Sequence, residues 1–258
     1  MFDLEKLKSE EMEYRSIAKL DGIPDPDKYW NASERILFVG KEPWDPTGNR
    51  YTNQRDTLKY FCAHDKSEIK SQPLKRANKL ASFILEPSEK GKAVVLDRVA
   101  WVNVKKSPNT RSSGKSSPAE LYHAYDINVQ LLFQQIQDLN PTLVFFGNTF
   151  NLGWGRSFYN QWEEYPGRAK LQVESFSTML DEEISAHFDL AIDLTGKGML
   201  GEHIRCYYEQ YDKDACLFFE MCHFQVIRKW HYESIPKVIN YWRIFKDFTS
   251  HTQVSSAG

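Results

Sequence analysis

Glu42, Asn103 and His223 each follow a short apolar run, and each carries a side chain able to act on a bound molecule. Glu42 stands in "ILFVGKEPWD" (36–45), where five strand-like residues meet a glycine, a lysine, the acid, a proline and a tryptophan. A carboxylate so placed can orient water as a general base or stabilise positive charge developing on a sugar. The alternative is a solvated acid capping the next helix. Asn103, in "DRVAWVNV" (97–104), offers a donor and an acceptor together, as reading the edge of a heterocycle requires; it could equally satisfy loop backbone after a strand. His223, in "ACLFFEMCHF" (215–224), can donate to a group gaining negative charge, or simply pack, and His231 in "RKWHYES" is its rival.

Positioning such residues needs elements, and their order is legible. Residues 3–20 have amphipathic helical spacing and "DGIPDPDKYWN" reads as a loop. "RILFVG" (35–40), "DRVAWVNV" (97–104), "TLVFFG" (142–147) and 215–224 read as buried strands. Helical patterns cover 74–85, the stretch after Ser117, and "PKVINYWRIFKDF" (236–248). The middle one announces its start: Ser117 as cap, Pro118 as first residue, Glu120 as capping-box partner. Strands alternating with helices predict an α/β fold with a parallel sheet, whose ligands gather at the carboxyl ends of the strands. Residues 148–222 are far more than one crossover needs, so about 153–214 is expected to be an insertion within a single domain spanning 1–258.

The 258 residues carry a formal net charge of −2, so a nucleic-acid surface, if present, must be local. One candidate is the loop 105–115, with Lys105, Lys106, Arg111 and Lys115 and no acid. The first fifteen residues carry mixed charge without an apolar core, which argues against a secretory signal; a cytoplasmic protein is expected. Cys62, Cys206, Cys216 and Cys222 form no C-x-x-C pair, so reduced thiols rather than a metal cage are expected. Signatures of P-loop nucleotide hydrolysis, zinc proteolysis and the serine nucleophile elbow are missing.

Set side by side, Gly40-Lys41-Glu42-Pro43, "WVNVKKSP" (101–108), Pro141 to Gly147 and Cys222-His223-Phe224-Gln225 follow an order that resembles the uracil-DNA glycosylase superfamily. In that family the first strand ends in glycine, a variable residue, Asp or Asn, and proline. The second carries N-V-x-K-x-x-P in one branch, and the last motif is His-Pro-Ser. Here Glu replaces Asp or Asn, and Phe224-Gln225 replaces Pro-Ser. The resemblance implies a three-layer α/β/α sandwich around a four-stranded parallel sheet, DNA as partner, and base excision without cofactor or metal. A monomer is favoured. Carried onto this sequence, it makes Glu42 and His223 catalytic. Gly40, Lys41, Trp44, Tyr51 and Asn103 become base-binding, with Tyr51 or Trp44 as the stacking face. Lys105, Lys106, Arg111, Lys115, Arg228, Lys229 and Trp230 become the DNA-binding set, the last three as a strand-penetrating loop. The expected activity is a DNA glycosylase acting on a flipped non-standard pyrimidine, either uracil or a bulky modified cytosine of phage DNA. The alternative is a non-catalytic nucleic-acid or nucleotide-binding module on the same fold.

Overall fold

The computed structural model describes residues 3–18, 21–43, 54–64, 71–108, 116–149, 171–172, 205–209, 216–221, 223–224, 227, 229, 231–240 and 242–243. The strands in chain order are β1 (Ile36–Gly40), β2 (Ala100–Asn103), β3 (Leu143–Gly147), β4 (Leu171–Gln172), β5 (Arg205–Glu209) and β6 (Leu217–Met221). The helices are α1 (Leu4–Ala18), α2 (Pro26–Trp30), α3 (Gln54–Ala63), α4 (Gln72–Leu85) and α5 (Pro118–Leu139), with residues 231–240 also helical.

Four parallel strands form the centre in the order β2-β1-β3-β6. Every residue of β1, β2 and β3 is buried, because helices cover both faces. Ile36, Phe38, Trp101, Leu143, Phe145, Leu217 and Phe219 point to one face, where α3, α4 and the 231–240 helix pack. Leu37, Val39, Val102, Val144, Phe146 and Phe218 point to the other, against α2 and α5. The period-2 alternation therefore supplies two cores at once, and the architecture is a three-layer α/β/α sandwich. Phe38, Phe145 and Phe219 stack across three strands with ring centroids 5.5 and 4.8 Å apart. Each such ring contributes roughly 1.5–3 kcal/mol by leaving water.

Several expected boundaries shift, for local reasons. The stretch read as a loop contains α2, since Asp25 accepts from Lys28 N at 3.2 Å and Pro26 opens the helix. The second strand starts at Ala100, after a 3₁₀ turn over Leu96–Arg98, and the last one is confined to Leu217–Met221. The closing helix begins before Pro236. Tyr232, Ile235, Val238, Ile239 and Trp242 recur at helical spacing on the core, and that burial outweighs the backbone bond a proline forfeits. The segment between β3 and β6 adds to the sheet: β5 pairs antiparallel with β6 and β4 with β5, making six strands among the described residues.

Two ties fix the layers. α5 starts as its sequence predicts, with Glu120 N donating to Ser117 Oγ at 3.2 Å and Ser117 N to Glu120 Oε2 at 2.7 Å. At the opposite end of the sheet, Arg243 Nε donates to Glu34 Oε1 at 2.7 Å while the Thr142 hydroxyl donates to its other oxygen.

Candidate active site

The pairing of β1 with β2 runs past the strand ends. Gly40 lies opposite Asn103, then Val104 N donates to Gly40 O at 2.9 Å and Lys105 N to Lys41 O at 2.8 Å. These last rungs carry Glu42 to Lys105, whose Nζ is 4.0 Å from Glu42 Oε2. The neighbouring Asn103 is 2% exposed and its Oδ1 accepts from Trp101 Nε1 at 3.2 Å. That amide lies across the end of β1, so a Cβ at position 40 would stand 2.4 Å from Asn103 Oδ1. The glycine is there because the asparagine is. Lys41 is half-buried beside them.

The Glu42 carboxylate is neither turned out into solvent nor fully enclosed, its side chain being 12% exposed. It accepts from Ser116 N at 3.0 Å and from the Ser116 hydroxyl. Ser116 immediately precedes the cap of α5, so the anion sits near the positive end of a 22-residue helix as well as beside an ammonium. The helix-cap alternative for Glu42 is thus realised in part, on the approach to α5. A carboxylate fixed this way has a set orientation, which is what directing water at one atom demands.

The two lysines expected on the DNA backbone are turned inward. Lys105 is 4% exposed and its Nζ donates to Ser107 O at 2.9 Å. Lys106 has no exposed surface: its Nζ donates to Asn103 O and, at 2.8 Å, to Gln135 Oε1. Burial pushes the Lys106 ammonium down to about 8. A polar loop composition suggested solvated cations; instead a carbonyl of the turn claims Lys105, and a carbonyl of β2 and an amide of α5 claim Lys106. Phosphate contact by either side chain is therefore not what this arrangement provides.

At the carboxyl end of β6, His223 is half-buried, and two strand spacings, roughly 10 Å, separate its strand from β1. The next residue, Phe224, packs edge-on against Trp101 and Phe38 at 5.2 and 5.3 Å. Its ring comes within 2.7 Å of where a Cβ on Gly147 would be, so the glycine ending β3 exists for this aromatic. His231 is 2% exposed inside the fold. Lys229 is at the surface, paired with Glu233 at 3.5 Å. Trp44, Tyr51, Arg111, Lys115, Arg228 and Trp230 lie outside the described residues.

Two features escaped the reading of the sequence. The strand order reverses direction between β1 and β3, which makes their carboxyl ends the crevice of the sheet. There Asn148 takes a left-handed conformation, φ 60°, its N–H donating to Met221 O at 2.8 Å, while Thr149 Oγ1 donates to Val39 O at 3.0 Å. The other is Glu11 of α1, wholly buried beneath the turn after β2. No local signal marks it, because its partners lie in that turn and on α5.

Among the described residues no helix is long and apolar enough to cross a membrane, and no group of three or more His, Cys, Asp or Glu is arranged to hold a metal ion. Cys62 and Cys216 are free thiols, and burial pushes Cys62 up to about 11. Comparison with protein-family models finds none that matches the chain, and comparison with curated proteins finds no match either.

Proposed function

We propose that the carboxyl end of the β1–β2 pair is the reacting end of a DNA glycosylase, which hydrolyses the N-glycosidic bond of a flipped non-standard pyrimidine. One observation carries this proposal: Glu42 is held in a fixed orientation at that end, between Ser116 and Lys105 and two residues past the Gly40–Asn103 rung. Glu42 orients a water whose oxygen bonds to the anomeric carbon as the carbon–nitrogen bond breaks. The bonding electron pair leaves with the base, where His223 donates to the carbonyl that gains negative charge, and the water's proton passes to Glu42. Asn103 reads the base edge. Lys41 is close enough to leave strand-cleaving lyase chemistry open beside the favoured monofunctional route. On this proposal the protein works on DNA in the cytoplasm as a monomer, without metal or cofactor. The long segment between β3 and β6 favours a bulky modified cytosine of phage DNA, as in antiviral defence, over the uracil of repair.

Incubating the protein with uracil-containing oligonucleotides and with phage DNA bearing modified cytosine, then scoring abasic sites, tests this directly. The expected result is release from the modified DNA, reduced about 10²–10³-fold in Glu42→Gln with DNA binding kept. Efficient uracil release alone would remove the bulky-base version.

A second proposal, a non-catalytic nucleic-acid or nucleotide-binding module, draws support from the engagement of Glu42 by Ser116 and Lys105. A carboxylate so occupied also serves as a structural clasp. Failure of the wild type to make abasic sites on any of these substrates, with DNA binding unchanged by Glu42→Gln, decides for it.

A further inference from the structure

Glu11 has no exposed surface, yet α1 needs only an apolar side chain to pack on α5 at that point. Removing an ionised group from water is costly unless its acceptor capacity is filled, and here it is filled. Oε2 accepts from Lys106 N at 2.7 Å and from Asn128 Nδ2 at 2.5 Å. Oε1 accepts from Ser107 N at 3.0 Å and from Ser107 Oγ at 2.5 Å. Two successive backbone amides thus converge on one carboxylate, just beyond the last rung of the β1–β2 ladder. Asn128 adds a second arm by donating to Val104 O at 3.2 Å. The gripped turn in turn holds an ammonium: Ser107 O accepts from Lys105 Nζ at 2.9 Å, and that nitrogen is 4.0 Å from Glu42 Oε2. An unbroken run of contacts leads from the N-terminal helix to the candidate reacting carboxylate.

We infer that Glu11 is a positioning residue: by clamping the turn at 106–107 it fixes Lys105 against Glu42. Its catalytic consequence rests on the glycosylase proposal, whereas the clamp can be tested without substrate. Glu11→Gln keeps the shape but turns an NH₂ group toward donors, so one side of the clamp opens.

The decisive measurement is the energetic coupling between Lys105 and Glu42, from denaturation midpoints of Lys105→Met, Glu42→Gln and the double variant of the full chain. It is made once with Glu11 present and once in Glu11→Gln. Non-additivity with Glu11 that disappears in Glu11→Gln is the expected result. Equal coupling in both backgrounds, or none in either, overturns the inference. Should Glu11→Gln not fold, Ser107→Ala removes one bond of the clamp, and the coupling must then shrink; an unchanged value overturns it too. In single-turnover excision, Glu11→Gln should slow the chemical step about tenfold or more with DNA affinity within about twofold, and adding Lys105→Met should cost nothing further. Losses that multiply instead would show that Glu11 does not act through Lys105. A wild type that excises no base would defeat the proposed function and leave the coupling measurement to decide the clamp.

Discussion

A methyl group on Gly40 would stand 2.4 Å from Asn103 Oδ1 and 2.8 Å from Trp101 Nε1, so alanine there must push the amide off its indole partner. Gly40→Ala should cost about 1–3 kcal/mol in thermal or urea unfolding and disturb base reading in the same excision assay. Lys106 supplies a prediction with a defined sign. Burial lowers its folded value from 10.5 to about 8, so the unfolded chain holds the proton more tightly. Below about pH 8 both states are protonated and the contribution is flat. Between there and 10.5 the folded state gives up its proton first, and stability rises with pH. Relative to Lys106→Met, the wild type should gain up to about 3 kcal/mol across that window, read by urea denaturation. The comparison with the variant matters because burial raises the Tyr29 and Tyr125 hydroxyls, which pull the other way at high pH. A difference that falls as pH rises would contradict the buried ammonium.

At the scale of elements, one aromatic shapes the exit of β6. Phe224 fills the space over Gly147 and touches Trp101 and Phe38. Phe224→Ala should therefore lose about 3–5 kcal/mol of stability in chemical denaturation. The start of α5 separates structure from chemistry at two adjacent serines. Ser117 serves only its helix, and Ser117→Ala should lower stability by about 1 kcal/mol with excision unchanged. Ser116 serves Glu42, and Ser116→Ala should alter the excision rate while barely moving the unfolding midpoint. Equal effects from both would mean that the two positions share one structural role.

For the whole molecule, near-neutral charge and inward-turned lysines constrain how DNA could be held. Affinity for DNA falls with salt in proportion to the phosphates neutralised. Lys106 is wholly buried, so Lys106→Gln should leave that salt slope unchanged in an anisotropy titration. A slope reduced by about one unit would place its ammonium on a phosphate.

Sequence patterning was enough for the α/β class and its parallel sheet, because burial on both faces of a parallel strand leaves a continuous apolar run. It also determined the start of α5, since a capping box is a contact between residues three apart. Gly40, Glu42, Asn103 and His223 were legible as strand-end residues for the same local reason. What surrounds them was not. Lys105 and Lys106 look like solvated cations in a polar loop; the carbonyls they reach are sequence neighbours, but only the packed chain brings Glu42 to Lys105 and the Gln135 amide to Lys106. Glu11 looks like any acid on an amphipathic helix until α1 folds over the turn at 106–107. A side chain's type and its neighbours in sequence fix what it can do; its partners from distant segments decide whether it is buried, paired or free to act.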